Sequence, residues 1–298
     1  MSPSAQDSGP ADEGTLVQST LPLWRRLLAQ RPTQVGAVLI GLLLLIAIPA
    51  PFLTAYDPLR ANNPQFLPPL SGDHYLGTTA IGRDLFSAIA YGGRISLALG
   101  VSVALLSTLI GLLVGSISGY LGGWVDDVLM RFTELFIVIP RFFLALVVVA
   151  IFGRSIVNIV VVLALLSWPP VARVVRAQYL TLKEREFVLA ARVIGQPTGR
   201  IIAREILPNA LAPAIVLGSL QVSQAILLEA SLAFLGLGDP DLPSWGNLLV
   251  DAQRFLGSAP WMVFFPGLAI TVSVVGFNLI GDGLARALDP RTGARFQG

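Results

Sequence analysis

Three ionisable side chains, Glu134, Arg141 and Glu229, stand inside long apolar runs of the sequence. An ionisable group in hydrocarbon is costly, so such residues usually face a polar pathway or a partner group. At about 1.5 Å per residue, Arg141 lies roughly 13 Å into its apolar run and Glu229 roughly 28 Å along a later one. A direct Arg141–Glu229 pair is therefore not expected, and Gln221 or a group on a second subunit matches Arg141 better in depth. We interpret Arg141, Gln221 and Glu229 as candidates for a polar pathway or gate, with structural hydrogen bonding or snorkelling to the interface as the alternatives.

The residue types needed for catalysis or cofactor binding are nearly absent. The 298 residues contain no cysteine and a single histidine, His74, which excludes disulfides, thiolate ligands and most metal and serine-hydrolase sites. No G-x-x-x-x-G-K-[ST] loop occurs, and the only lysine, Lys183, follows a leucine. The run GSISG at 115–119 has isoleucine where a nucleophile elbow needs serine, so its small residues predict close helix packing instead. We predict that the chain is not an enzyme and binds no cofactor or metal itself, with His74 as a hydrogen-bonding loop residue.

A charged stretch at 186–209, EFVLAARVIGQPTGRIIAREILPN, separates two long apolar runs and predicts a helical hairpin. Helix-forming residues lead to Gly195, which can adopt the left-handed conformation that ends a helix, and Pro197 stands where a second helix can begin. Apolar pairs in the second half give that helix a buried face. The small residues Ala190 and Ala191 leave room for the backbone of another protein. This segment, called the hairpin below, is predicted to be a docking surface.

The composition places these residues in a membrane protein. The chain is 54% apolar and only 13% charged, with a mean hydropathy of +0.73, whereas soluble domains are about 25% charged. A membrane-spanning helix needs about 20 apolar residues. We therefore predict an all-α membrane protein with six transmembrane helices, at about 35–53, 96–119, 132–152, 156–172, 210–235 and 261–280.

The basic residues predict the orientation of these helices. With both termini inside, fourteen arginine and lysine residues fall inside and five outside, which the positive-inside rule favours. The hairpin then lies in the cytoplasm. The predicted units are a cytoplasmic tail at 1–34, an N-terminal anchor at 35–54, an extracytoplasmic segment at 55–95, a core at 96–288 with a cytoplasmic loop at 173–209, and a cytoplasmic tail at 289–298.

The hairpin resembles the coupling motif of ABC importer permeases. Glu-Phe-Val-Leu-Ala-Ala at 186–191 precedes Gly195, and Ile-Leu-Pro-Asn follows at 206–209, with the spacing of that motif. The glutamate stands four residues before the first alanine, as is usual in the peptide and nickel branch of the family. The resemblance implies that the residues contacting the ATPase are Glu186, Ala190, Ala191, Gly195, Leu207 and Pro208.

Two further segments carry the same resemblance. EASLAFLGLG at 229–238, followed by PSWG at 243–246, closely resembles the peptide-permease signature, and residues 74–97 resemble the start of the core domain. The resemblance spans about 73–291. It implies an inner-membrane permease for peptides, nickel or another metal chelate. It also implies a second homologous permease, two cytoplasmic ATPase subunits or domains that hold ATP and Mg²⁺, and an extracytoplasmic solute-binding protein.

Other classes of function agree less well with the sequence. A net charge of +2 with no basic tract gives no reason to expect a nucleic-acid partner. A secondary active transporter would need ligands for a coupling ion and usually an internal repeat, and few acidic residues lie in the apolar runs. A non-transporting assembly factor is the third possibility. Dependence of uptake on ATP, and copurification with an ATPase, would discriminate these alternatives.

Overall fold

In a computed structural model of the chain, residue 27 and residues 29–288 are described, and this part is all-helical without a β-strand. Most of the predicted tails at 1–34 and 289–298 lies outside the described residues. Helices are numbered from the first one described. They are α1 (Arg31–Ala47), α2 (Ala50–Leu53), α3 (Leu85–Leu121), α4 (Gly123–Val138), α5 (Arg141–Phe152), α6 (Ile156–Ser167), α7 (Pro169–Leu182), α8 (Glu186–Val193), α9 (Thr198–Arg200), α10 (Leu207–Leu232), α11 (Trp245–Ala252) and α12 (Trp261–Leu288), with π-helical turns at Ile201–Ile206 and Ala233–Leu237.

Four continuous helical segments of the described chain are long and apolar enough to cross a membrane: Leu85–Leu121, Ile156–Leu182, Thr198–Leu237 and Trp261–Leu288. The bent pair α4 and α5 makes a fifth if it is one span. The first predicted span corresponds to α1, which is apolar but has only 17 residues. The fold is therefore an all-helical membrane bundle, as predicted, with four or five spans supported by length and composition.

The third predicted span, 132–152, is not a continuous helix, and the sequence interpretation was wrong on this point. Helix α4 ends at Val138, and α5 begins at Arg141 after a bend of 86°. Pro140 has no backbone N–H to donate, and it disfavours helical angles at the preceding residue. Ile139 accordingly has φ −84° and ψ 126°, which are extended values. The depth assigned to Arg141 assumed a straight helix and does not hold.

The fourth predicted span, 156–172, continues further than expected. Pro169 and Pro170 occupy the first turn of α7, where a missing N–H costs no helical hydrogen bond, so the helix runs on to Leu182. The predicted loop at 173–209 therefore starts as a helix. This extension carries the chain from the apolar core of the bundle to the hairpin.

Helices α3 and α7 pack at unusually close range because α3 presents glycines to α7. Gly111, Gly115 and Gly119 repeat every four residues and so lie on one face of α3. A Cβ at Gly115 would lie 2.5 Å from the carbonyl oxygen of Ala172, and one at Gly119 would lie 2.6 Å from the Cβ of Tyr179. This contact confirms the close packing predicted from the GSISG run, which contributes Gly115 and Gly119.

At the end of the bundle opposite the hairpin, the turn at 238–244 and α11 form a cap. Trp245 is 1% exposed, its indole N–H donates to the carbonyl of Ile89 at 3.0 Å, and its backbone N–H donates to the hydroxyl of Ser96 at 3.2 Å. In the segment before α3, His74 Nδ1 lies 2.8 Å from a carboxylate oxygen of Asp84, which caps α3. His74 is thus the hydrogen-bonding loop residue that was predicted.

Candidate functional site

The hairpin folds around a small apolar core that it shares with α7. Val188 and Ala191 from α8 pack with Ile201 and Ile206 from the second arm, and all four side chains are at most 4% exposed. Tyr179 of α7 closes this core and is fully buried. The hairpin is therefore packed onto the bundle as one body with the end of α7.

The corner of the hairpin is set by Gly195. This residue has φ +76°, the left-handed conformation that favours glycine. Its N–H donates to the carbonyl of Arg192 at 3.0 Å, and the N–H of Gln196 donates to the carbonyl of Ala191 at 3.1 Å. These two bonds form a Schellman motif, which satisfies carbonyls that α8 would otherwise leave unpaired. The prediction that Gly195 ends the first arm, with the second beginning after Pro197, is confirmed.

The outer face of the hairpin is exposed and mostly apolar. Val193 is 86% exposed, Ile194 is 74% exposed, and Phe187 and Leu189 are each exposed by more than two fifths. Of the residues predicted to contact the ATPase, four are also exposed, namely Glu186, Ala190, Gly195 and Pro208. Leu207 is half-buried. Large apolar side chains on a charged segment are typical of a surface that another protein covers.

The two alanines of the motif do not share this face. Ala190 points outward, but Ala191 is only 4% exposed and packs into the core of the hairpin. Successive residues of a helix are about 100° apart, so the two alanines point in different directions from α8. In this structure, room for an approaching backbone is provided by Ala190 alone.

Three contacts that the sequence did not reveal fix the hairpin region to α3 and α7. The Tyr179 hydroxyl donates to the carbonyl of Ile202 at 3.2 Å, and the Lys183 ammonium donates to the carbonyl of Gly119 at 3.2 Å. The Arg192 guanidinium lies 5.3 Å from the ring centroid of Tyr120. These partners are far apart in sequence, so no local pattern identifies them.

The pathway candidates are not brought together. Arg141 is the first residue of α5, next to the bend, and within residues 29–288 it makes no ion pair or hydrogen bond. Gln221 is buried in α10: its amide donates to the carbonyl of Ser167 at 3.0 Å, and its carbonyl accepts from the hydroxyl of Ser107. Gln221 therefore ties three helices together and does not contact Arg141.

Glu229 lies at the cap end of α10 and is 2% exposed. Its carboxyl lies beside the side chain of Ser244, the residue that caps α11, and its Oε2 atom has no hydrogen-bond partner among the described residues. Gly246 in the first turn of α11 lies against Ala230, the next residue of α10. Glu229 thus stands where the cap meets the bundle, and it does not reach the interface by snorkelling.

These features define an all-helical membrane protein with an exposed hairpin at one end of its bundle and a packed cap at the other. Within the described part of the chain, no group of three or more His, Cys, Asp or Glu residues could hold a metal ion. Residues 111–294 match the family described as binding-protein-dependent transport system inner membrane component, and residues 22–69 match the N-terminal TM domain of oligopeptide transport permease C. The chain belongs to this family of inner-membrane transport components and is a permease subunit, not a catalytic enzyme.

Similar proteins match nearly the whole chain. The dipeptide transport system permease protein DppC of Alkalihalophilus pseudofirmus is 40% identical over 98% of this chain and 96% of its own length. The oligopeptide transport system permease protein OppC of Bacillus subtilis is 37% identical, covering 97% and 96%. The glutathione transport system permease protein GsiD of Pectobacterium atrosepticum is 40% identical, covering 90% of each chain.

Proposed function

We propose that this chain, with a second homologous permease, forms the translocation pathway of an ATP-driven importer for peptides. The observation that carries the proposal is the exposed apolar face of the hairpin, a docking surface on a chain without a nucleotide-binding loop of its own. The full-length similarity to permeases named for dipeptides, oligopeptides and glutathione supports peptides as the solute class.

The proposed partners follow from the two ends of the bundle. Two cytoplasmic ATPase subunits or domains bind ATP and Mg²⁺ and receive the hairpins, and an extracytoplasmic solute-binding protein delivers solute at the cap end. Glu186, exposed in the first turn of α8, is placed to meet a basic group on the ATPase. Closure of the ATPases would move the hairpin as a rigid lever, and the spans would alternate between inward- and outward-facing states.

The pathway residues have separate roles in this proposal. Arg141, at the bend between α4 and α5, has no ion pair or hydrogen bond within residues 29–288, which fits a guanidinium that faces solute or the second permease. Glu229, beneath the cap, acts at the outer gate. Gln221 holds the helices around the pathway in register through Ser107 and Ser167.

The importer proposal is tested by reconstitution with its partners in vesicles. Purified permeases, ATPases and binding protein are expected to accumulate a labelled dipeptide only when ATP is supplied, and ionophores that collapse proton and sodium gradients should have no effect. Uptake driven by a gradient without ATP would establish a secondary transporter instead. Failure of the chain to copurify with any ATPase would favour an assembly factor.

Six spans with both termini and the hairpin inside are part of the proposal, because fourteen basic residues against five favour that orientation. The chain has no native cysteine, so single cysteines report sidedness cleanly. A cysteine at Gly199, which is exposed on the hairpin, should resist an impermeant thiol reagent applied outside intact cells. A cysteine at Tyr75, 63% exposed before α3, should react. The reverse pattern of labelling would contradict the orientation.

Replacing Glu229 with glutamine is expected to lower uptake per assembled complex about tenfold. Glutamine keeps the shape of the side chain but cannot ionise, and a buried carboxyl group at a gate is expected to act through its charge. The measurement compares uptake with the amount of complex recovered after detergent extraction. Glu134→Gln is the matched control, since Glu134 also stands in an apolar run but is exposed. If Glu229→Gln lowers only the amount of complex, its role is structural and the gate assignment is wrong.

A further inference from the structure

The structure contains a partly buried ion pair that joins the hairpin region to the bent helix pair. Arg176 of α7 binds Asp126 of α4 through two parallel bonds, from Nε to Oδ1 at 2.6 Å and from Nη2 to Oδ2 at 2.5 Å. Asp126 is 8% exposed, and its Oδ1 also accepts from the hydroxyl of Ser118 near the end of α3. A carboxylate held by a bidentate guanidinium and a hydroxyl has its geometry fixed as well as its charge paired.

This pair lies within the body that carries the hairpin. Arg176 is three residues before Tyr179, which closes the hairpin core, and both face the glycines of α3. A Cβ at Gly119 would lie 2.8 Å from the carbonyl oxygen of Arg176, so α7 has no room to slide independently of α3 at this level. A displacement of the hairpin must therefore move Arg176.

On the other side of the pair lies α4, which follows α3 directly through Gly122. Much of its surface is exposed, including Trp124 at 76% and Val138 at 78%. Besides the ion pair, its contacts with α6 and α7 include Phe132 and Phe136, whose rings lie 6.3 and 5.6 Å from that of Trp168 at the junction of these two helices. Besides its chain connection to α3 and the Ser118 hydrogen bond, α4 is thus held to α7 by the ion pair and to Trp168 by an aromatic contact.

From this arrangement we propose that Asp126 and Arg176 are positioning residues that pass the movement of the hairpin to α4, and through the bend at Pro140 to Arg141. The aromatic contact alone would let α4 slide relative to α7. The bidentate ion pair fixes both the distance and the orientation of α4 relative to α7 at the end of α4 nearest the hairpin. The inference rests on the proposed importer function, because it assigns these residues a place in the transmission between ATPase and pathway.

The inference predicts loss of coupling without loss of docking. In the reconstituted complex, Asp126→Asn should leave ATPase association unchanged and lower the ratio of solute transported to ATP hydrolysed about tenfold, the size of a typical coupling between sites. Exchange of the charges, Asp126→Arg with Arg176→Asp, should restore part of that ratio. Asp127→Asn is the matched control, since Asp127 is the next residue and is exposed, and it should keep the ratio of the unaltered chain.

A labelling experiment separates transmission from a merely structural role. Single cysteines at Val128, 56% exposed on α4, and at Gly199, exposed on the second arm of the hairpin, carry an environment-sensitive fluorophore. Nucleotide binding should change both signals in the unaltered complex, and Asp126→Asn should abolish the change at Val128 while keeping the one at Gly199. ATP-dependent uptake by the unaltered complex measures the importer proposal on its own.

Two results would overturn the inference. One is a normal transport-to-hydrolysis ratio in Asp126→Asn. The other is a Val128 signal that still follows nucleotide in that variant. Asp126→Asn could also lower the amount of assembled complex while the transport-to-hydrolysis ratio stays normal. If the charge exchange does not restore that amount, the ion pair serves folding alone.

Discussion

Replacing Gly195 with aspartate is expected to abolish uptake while leaving the chain inserted in the membrane. Gly195 has φ +76°, and any side chain there opposes the left-handed turn at a cost of about 1 kcal/mol. No atom lies within 4 Å of the position of an added Cβ, so crowding contributes nothing. The larger effect comes from a carboxylate placed beside Val193 and Ile194, the most exposed apolar side chains on the outer face of the hairpin. A charge that must be desolvated there without a partner opposes ATPase docking.

Three variants separate backbone strain from charge. Gly195→Asn has nearly the shape of Gly195→Asp without its charge and tolerates the left-handed conformation, so it should retain most uptake. Gly195→Ala reports the conformational cost alone. Gly199→Asp places a charge on the second arm, where φ is not positive and no atom lies within 4 Å, and should affect uptake less.

The measurement for Gly195→Asp reports insertion, ATPase association, stimulated hydrolysis and uptake separately. Insertion should be normal because the hairpin core contains no atom of Gly195, and association and uptake should both be lost. Normal uptake in Gly195→Asp, alone and combined with Glu186→Ala, would mean that the hairpin is not the coupling element.

The parts of the structure that the sequence predicted correctly are those that depend on neighbouring residues. Gly195 and Pro197 set the corner of the hairpin through their own backbone preferences, and a run of apolar residues identifies a helix whatever surrounds it. Pro140 is a local signal for the bend, but membrane helices often tolerate a proline. The sequence alone therefore did not distinguish a bent helix pair from one continuous helix. The alanine pair was assigned correctly to a helix, but the burial of Ala191 depends on the contacts of the hairpin with α7.

The long-range contacts that position the site could not be predicted from neighbouring residues. Asp126 and Arg176 are separated by 50 residues, and the small residues of α3 predict close packing without naming α7 as the partner. Glu229 was recognised as unusual from its apolar context, yet its place beneath the cap depends on the turn that brings Ser244 to it. Local sequence therefore specifies the elements, and long-range packing decides which polar groups meet.

Replacing Gly115 with valine is expected to give the largest loss of folded protein of any change described. A Cβ at this position would lie 2.5 Å from the carbonyl oxygen of Ala172, 2.8 Å from the Cβ of Val175 and 3.1 Å from the amide nitrogen of Arg176. Two of these atoms are backbone atoms of α7 and cannot rotate away, so the helices must separate. Overpacking in a well-packed core costs about 1–3 kcal/mol, and contact with backbone places this site at the upper end.

Separation of the two helices should also disturb the hairpin, because α7 carries Tyr179 into its core. The amount of monodisperse protein after detergent extraction should fall severely, and the surviving fraction should show reduced ATPase association. Gly41→Val is the matched control: Gly41 lies inside α1 with no atom within 4 Å of an added Cβ, so the same substitution should be tolerated. Equal recovery of the two variants would contradict close packing of α3 on α7, because only that contact distinguishes the sites.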